Sequence, residues 1–171
     1  MVNLKEGNIS LILDGYNDLF SDFDPRGYSE RSLSDDFLLE CKRATREKED
    51  VLELRLLVPK KMRVFKDEFK IKQRIKSYFF KHFHQKQKEI SELKYQGIRW
   101  FFVGVLFMMS GAYIQKYSGF FIDLLTVILE PAGWFSFWEG LGKIFMESKK
   151  ESPDLTFHKK MANVNIKFLD S

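Results

Sequence analysis

Residues Trp100 to Gly142 form the stretch that most constrains how this chain can fold. Its 43 residues include only four formally charged side chains, those of Lys116, Asp123, Glu130 and Glu139. A helix that crosses a hydrocarbon core of about 30 Å needs roughly 20 apolar residues. The stretch therefore predicts two transmembrane helices, Ile98–Gln115 and Gly119–Leu141, that form a hairpin around a short polar turn.

The two helices differ in how readily they should enter a bilayer. Eight Leu, Ile, Phe and Val residues in the first helix favour insertion, and no charge lies near its centre. The second helix has eleven such residues, but Glu130 and Pro131 lie near its middle. We expect the first helix to insert by itself and the second to insert as its partner.

Two other interpretations of the apolar stretch remain open. It could be the buried core of a water-soluble protein. Alternatively, only the first helix could span the bilayer, while residues Pro131–Phe145 lie in the interface as an amphipathic segment with aromatic side chains.

The distribution of Lys and Arg predicts the orientation of the hairpin. Residues 60–99 carry thirteen basic and four acidic side chains, whereas the predicted turn has only Lys116. The positive-inside rule then places both termini in the cytoplasm, with the hairpin in the inner (cytoplasmic) membrane. The first thirteen residues lack the pattern of a cleavable signal, and the single cysteine, Cys41, excludes an internal disulfide.

The basic segment before the hairpin is expected to contact lipid and not nucleic acid, because it leads directly into the first span. Lysine and arginine near a membrane surface are attracted to anionic lipid headgroups. The predicted lipid-facing basic residues are Lys86, Lys88, Lys94 and Arg99.

The remaining sequence predicts an α/β domain. Asn8–Leu13 is predicted as a strand buried on both faces, and Val51–Val58 as a strand that alternates apolar and polar side chains. A helix between them has an apolar stripe at Leu33, Phe37, Cys41 and Ala44. A long helix follows from Phe65 to Trp100, with Phe69, Ile71, Ile75 and Phe79 among the side chains expected to be buried.

The end of the chain is predicted to complete the sheet. Val164, Ile166 and Phe168 alternate with polar residues, as in a strand, whereas Glu147–Lys160 is polar, contains Pro153, and is assigned no element. The predicted fold is a cytoplasmic α/β domain, β-α-β-α plus a C-terminal strand, with a transmembrane hairpin inserted before that strand. The predicted segments are the α/β domain (1–64), a basic juxtamembrane helix (65–97), the hairpin (98–142) and a cytoplasmic tail (143–171).

The loop from Asp14 to Arg31, here called the front loop, is the most distinctive soluble feature. It is rich in turn formers and acidic residues, but Arg26 and Leu33 occupy positions where a calcium loop needs oxygen ligands. We therefore predict no metal site in the loop. The sequence also has no glycine-rich phosphate loop, no catalytic serine motif and no cysteine pair, so we predict no cofactor and no catalytic residues. The loop is instead predicted to contact a protein partner through Phe23, Asp24, Arg26, Tyr28 and Arg31.

Three carboxylates are predicted within the hairpin: Asp123, Glu130 and Glu139. Intramembrane carboxylates either carry ions or protons, or form hydrogen bonds between helices. A two-helix hairpin cannot enclose a path, so conduction would require an oligomer. We favour helix–helix or oligomer contacts, helped by the small residues Gly104, Gly111, Gly133 and Gly140.

Two segments also resemble motifs in small predicted bacterial membrane proteins of no assigned function. They are Phe20–Leu38 (FSDFDPRGYSERSLSDDFL) and Gly133–Gly140 (GWFSFWEG). The resemblance implies no activity. The sequence as a whole favours a non-enzymatic, membrane-anchored adaptor or scaffold that self-associates and belongs to a cytoplasmic or membrane protein complex. The alternative is an oligomeric membrane effector or channel-like protein that uses the intramembrane carboxylates.

Overall fold

The structure is a computed structural model that describes residues 7–48 and 52–171. It is mostly helical, with a small parallel sheet of three strands and two long apolar helices. The chain forms two compact units. The first, here called the sheet unit, contains the chain up to His84 together with Asp154–Ser171, and the second, the hairpin unit, contains Gln85–Pro153.

The sheet contains the three predicted strands, β1 (Asn8–Ile12), β2 (Glu53–Val58) and β3 (Asn165–Asp170). The strand order is β1-β2-β3, and both neighbouring pairs are parallel. Leu54 in the central strand is paired with Ile9 on one side and with Ile166 on the other. Val51, which was predicted to begin the second strand, lies outside the described residues.

One face of the sheet carries the core. In β2 the buried side chains are Leu54, Leu56 and Val58, as the alternation predicted. The prediction that the first strand is buried on both faces is wrong, because Ile12 is 78% exposed. The cause is the strand order: two successive right-handed crossovers that step in the same direction place their helices on the same face.

Helix α1 (Asp35–Arg46) follows its predicted stripe. Leu33, Phe37 and Cys41 are buried, and Asp35 and Asp36 lie in the first turn, where carboxylates interact favourably with the helix dipole. Burial raises the pKa of the Cys41 thiol to about 12. Cys41 is therefore a packing residue and has little thiolate character.

Helix α2 (Phe65–Ile114) is continuous through the predicted juxtamembrane segment. In the sheet unit it buries Ile71, Ile75 and Phe79. Burial of Phe69 was predicted, but this side chain is 62% exposed. Residue 69 is two positions from Ile71, about 200° around the helix, so it lies on a different face.

Helix α4 (Ser148–Asn163) occupies the segment to which no element was assigned. It contributes Phe157 and Met161 to the core of the sheet unit, and the Phe157 ring packs edge-on against Phe79 at 5.7 Å. Buried apolar residues four apart are typical of a helix. That signal was present in the sequence but was outweighed by Pro153 and the polar composition.

The hairpin unit contains the second part of α2 and helix α3 (Phe120–Leu141), which a π-helical segment, Gly142–Glu147, connects to α4. The turn between α2 and α3 includes Gly119, whose φ of 146° favours glycine. Both helices are long and apolar enough to cross a membrane. In the most apolar 18-residue segment of each helix, only 17% and 11% is buried, respectively, whereas the core helix of a soluble protein would be mostly buried.

Candidate functional site

The front loop is anchored at both ends in the core of the sheet unit. Its first part forms a 3-10 turn, Tyr16–Leu19. Phe20 then forms an antiparallel bridge with Leu33, and all three of Leu19, Phe20 and Leu33 are buried. The chain between the two bridge residues is therefore a closed loop on a rigid base.

Asp24 organises this loop from within. Its carboxylate accepts hydrogen bonds from the Arg26 guanidinium, with Nη2 at 2.7 Å and Nε at 2.9 Å, and from the Ser32 backbone N–H at 2.7 Å. The Arg26 guanidinium, followed by the Ser32 N–H, holds the pKa of Asp24 far below its usual range. The carboxylate therefore joins the tip of the loop to the segment that leads back to Leu33.

Tyr28 and Arg31 also build the loop. The Tyr28 ring stacks on Phe20 at 5.3 Å. Arg31 donates hydrogen bonds to the Ser21 carbonyl at 3.0 Å and to Asn17 Oδ1 at 2.9 Å, and its side chain is only 14% exposed. Of the five predicted contact residues, Asp24, Tyr28 and Arg31 therefore face their own loop more than they face the solvent.

The exposed tip of the loop consists of Asp22, Phe23, Pro25 and Arg26. Phe23 is 98% exposed, so nothing in the described part of the chain covers its ring. Because Asp24 holds the neighbouring backbone, the ring is presented from an ordered loop. Aromatic and arginine side chains are the residue types that most often anchor protein interfaces.

A polar network that was not predicted from the sequence lies at the carboxyl ends of the strands. The Arg63 guanidinium pairs with Glu68 at 2.8 Å and with Asp170 at 2.6 Å. Tyr16 donates a hydrogen bond to Glu68 at 3.2 Å and accepts one from the Val64 N–H at 2.8 Å. The two carboxylates raise the pKa of Arg63, and burial raises the pKa of Tyr16.

This network lies beside the edge of the sheet where α/β folds bind ligands. Its members are bonded to one another, however, so it acts as a structural clamp between β3 and α2. Glu68 is buried three positions before Ile71. The presence of this charged residue in the apolar stripe of α2 was the sequence signal that could have identified the network.

No group of three or more His, Cys, Asp or Glu side chains that could hold a metal ion occurs within residues 7–48 and 52–171. His82 and His158 do lie together, with parallel rings whose centroids are 5.7 Å apart. Each Nδ1 bonds the backbone carbonyl four residues earlier, that of Tyr78 or Asp154. The pair therefore joins α2 to α4 within the sheet unit.

In the hairpin unit, glycines form the contact between α2 and α3. A Cβ atom on Gly104 would lie 2.5 Å from the Phe137 backbone nitrogen, and one on Gly140 would lie 2.5 Å from the Phe101 nitrogen. A Cβ atom on Gly97 or Gly133 would lie 2.7 or 2.8 Å from its nearest neighbour, whereas one on Gly111 would lie 3.8 Å away. We call Gly97, Gly104, Gly133 and Gly140 the glycine seam.

The three predicted intramembrane carboxylates are not brought together. Glu139 pairs with Lys143 at 3.1 Å, and Asp123 lies in the first turn of α3. Glu130 accepts a hydrogen bond from Gln115 Nε2 at 2.6 Å. It lines a cleft on the side of the hairpin together with Met108, Pro131 and Trp134.

The four predicted lipid-facing basic residues have different surroundings. Lys86 pairs with Glu89 at 2.9 Å and Glu151 at 3.2 Å, and these hydrogen bonds raise its pKa. Lys88 lies 3.7 Å from Glu92. Lys94 is exposed, and Arg99 lines a shallow groove with Gln96, Trp100 and Val103.

Comparison of the chain with protein-family models, with curated proteins and with solved structures gives no match.

Proposed function

We propose that this protein is a non-enzymatic membrane-anchored scaffold that self-associates and presents the front loop to a protein partner. In this proposal the sheet unit is a cytoplasmic β-α-β-α domain completed by β3. The hairpin of α2 and α3 is inserted before that strand and crosses the inner membrane, with both termini in the cytoplasm.

The observation that carries the membrane part of the proposal is the low burial of two long apolar helices. Trp134, Phe135 and Trp138 on α3 are exposed, as are Phe102 and Leu106 on α2. In water this surface would favour aggregation, whereas in a bilayer lipid tails would cover it. The glycine seam also supports a membrane location for α2 and α3, since membrane helices often pack through small residues.

Cysteine labelling tests the predicted topology. In a Cys41→Ala background, a single cysteine at Ser118 should react with a membrane-impermeant maleimide added outside intact cells. A single cysteine at Arg26 should react only after the membrane is opened. Recovery of the chain in the soluble fraction, or labelling of Arg26→Cys in intact cells, would contradict the proposal.

The partner-binding part of the proposal is supported by the loop tip. Phe23 and Arg26 are exposed on a loop that Asp24 and the Phe20–Leu33 bridge hold in place. Functional residues are often found on loops that a rigid scaffold positions. Phe23 is therefore a better probe of binding than Arg31, whose side chain is used within the loop.

Capture from membranes in a mild detergent tests this role. The wild-type chain should retain a specific partner that the Phe23→Ala variant loses, because the ring supplies the central apolar contact. Leu39→Ala is the matched control, since Leu39 is also an exposed apolar residue of the sheet unit. Equal capture by wild type and Phe23→Ala would argue against the front loop as the contact surface.

A channel-like oligomer is the second candidate, and the position of Glu130 midway along α3 is the observation that favours it. Purified protein in liposomes would then conduct ions, and Glu130→Gln would change that conductance. If liposomes that contain either the wild type or Glu130→Gln do not conduct ions, the scaffold is favoured.

A further inference from the structure

We infer that the cleft beside Glu130 is the surface through which two copies of the hairpin associate, with the Glu130 carboxyl and the Gln115 amide at its centre. The inference rests on the proposed function, because it takes lipid as the medium around α2 and α3. It assigns the self-association of the scaffold to one side of the hairpin.

Glu130 lies at the middle of its helix. Ten residues separate it from Phe120 and eleven from Leu141, the two ends of α3. At 1.5 Å per residue, it is about 15 Å from either end of α3. Its hydrogen-bond partner, Gln115, directly follows the last residue of α2, so Glu130 lies within the apolar core on the side of the turn and not at its centre. A polar side chain at this depth is costly to leave against lipid tails.

The glycine seam does not enclose Glu130. The residue is exposed, and it accepts a hydrogen bond from Gln115. The two lysines at the ends of the hairpin have other neighbours, since Lys143 pairs with Glu139, and Lys116 lies 5.3 Å from the centre of the Tyr113 ring. In the described chain, no ion pair within one copy offsets the cost of the Glu130 carboxyl in lipid.

A second copy fits this cleft because its polar groups are self-complementary. A glutamine amide has two N–H donors and a carbonyl oxygen, and a carboxyl group has two oxygens. One hydrogen bond between Gln115 and Glu130 uses only part of this capacity. In a two-fold arrangement each copy offers the same surface, so the Gln115 amide of one copy can bond the Glu130 carboxyl of the other.

The walls of the cleft suit the same arrangement. Met108, Pro131 and Trp134 surround the polar pair with apolar surface, and no basic side chain is among the residues that line the cleft. Methionine side chains adapt to irregular gaps between helices. Two copies can therefore pack apolar walls together around the shared hydrogen bonds and exclude lipid from them.

The first test measures the oligomeric state of the full chain in lipid nanodiscs or mild detergent. Wild type should be a dimer or a larger assembly, and Glu130→Leu should raise the dissociation constant by roughly tenfold, as expected for losing hydrogen bonds between membrane helices. Glu130→Gln should stay close to wild type, since an amide keeps the hydrogen-bonding capacity. Ile128→Ala is the control, because Ile128 is exposed and lies two positions, about 200° around α3, from Glu130.

The second test locates the interface by oxidative cross-linking in membranes. In a Cys41→Ala background, Met108→Cys should form a disulfide between copies. Met109→Cys should not, since Met109 is about 100° further around α2 and does not line the cleft. The two variants change the same residue type at the same depth.

Three results on self-association would overturn the inference. The first is a monomeric wild-type chain in the membrane, the second is an assembly that Glu130→Leu leaves intact, and the third is an assembly that cross-links through Met109→Cys. A chain recovered without detergent in the soluble fraction would instead contradict the proposed function. Cross-linking of Met108→Cys to a different protein would also overturn the inference, because the cleft would then serve another partner.

Discussion

The Asp24 carboxylate accepts hydrogen bonds from the Arg26 guanidinium and from the Ser32 N–H, so it holds both sides of the front loop. The dense acidic residues of this loop suggest a cation site, but Arg26 and Leu33 occupy positions where a calcium loop needs oxygen ligands. Asp24 pairs with a residue two positions away, a local contact that the sequence spacing allowed. Its bond to Ser32 depends on how the loop closes, which sequence spacing does not reveal.

We predict that Asp24→Asn loosens the loop while leaving the core intact, because it removes the charge that both donors share. Hydrogen exchange should show faster exchange at the Ser32 amide. Asp22→Asn should have little effect, since Asp22 is exposed and 3.8 Å from Arg31. Because the pKa of Asp24 is depressed, its contribution to loop order should persist at neutral pH and be lost only below its ordinary value of 3.8, as pH falls toward the folded pKa.

We also predict a pH-dependent stability that originates at His158. Burial lowers the pKa of His158 below its ordinary value of 6.5, and the nearby His82 lowers it further. The unfolded chain therefore binds a proton first as pH falls, so stability is full above pH 6.5 and decreases from there toward the folded pKa. The surrounding charges are those of Asp154 and Lys42, which pair at 2.6 Å.

Thermal unfolding at pH 8 and pH 5.5 checks this prediction. His158→Gln should reduce the difference in melting temperature between the two conditions. His84→Gln is the control, because His84 is exposed on α2. An unchanged pH dependence in His158→Gln would show that other groups cause it.

Among the elements, those with a strong periodic pattern were predicted well. The alternation in β2 and β3 and the four-residue spacing in α1 are local signals, and the structure confirms each of them. The errors arose where a distant partner decides the outcome. Ile12 in β1 is apolar and yet exposed because the crossovers leave its face of the sheet uncovered, and α4 is helical despite Pro153 because Phe157 packs against Phe79.

The glycine seam gives a prediction for the α2–α3 pair. Gly104→Ala should lower the stability of the hairpin in detergent by about 1–3 kcal/mol, the usual cost of overpacking, because its Cβ would meet the backbone of Phe137. Gly142→Ala is the matched control, since nothing lies within 4 Å of a Cβ there. Equal melting temperatures for the two variants would contradict the proposed role of the seam.

At the scale of the whole molecule, the sheet unit is discontinuous in sequence. Its core combines Ile71, Ile75 and Phe79 from α2 with Phe157 and Met161 from α4, and the hairpin unit lies between them in the chain. The His82 and His158 rings are 5.7 Å apart, so the two points where the chain leaves and re-enters the sheet unit are close together.

This closeness predicts that the sheet unit folds without the hairpin. Replacing residues 85–153 by a short Gly-Ser linker should give a protein that is monomeric and folded in plain buffer, whereas the full chain should require detergent or lipid. Circular dichroism and gel filtration provide the measurement. The control is Ile75→Ala in the full chain in detergent, which should lower the free energy of unfolding by about 2–5 kcal/mol, as usual for a core truncation. If this variant behaves as expected but the shortened chain aggregates, the core depends on the hairpin.

The position of β3 after the hairpin also affects biosynthesis. β2 pairs with β3 along its whole length, but 69 residues of the hairpin unit are translated between the two parts of the sheet unit. At 5–20 residues per second, the ribosome needs roughly 3–14 s to make them. During this interval β2 has an unpaired edge. In the proposed membrane topology, a nascent chain whose hairpin stalls at the translocon would keep that edge open to chaperones and proteases.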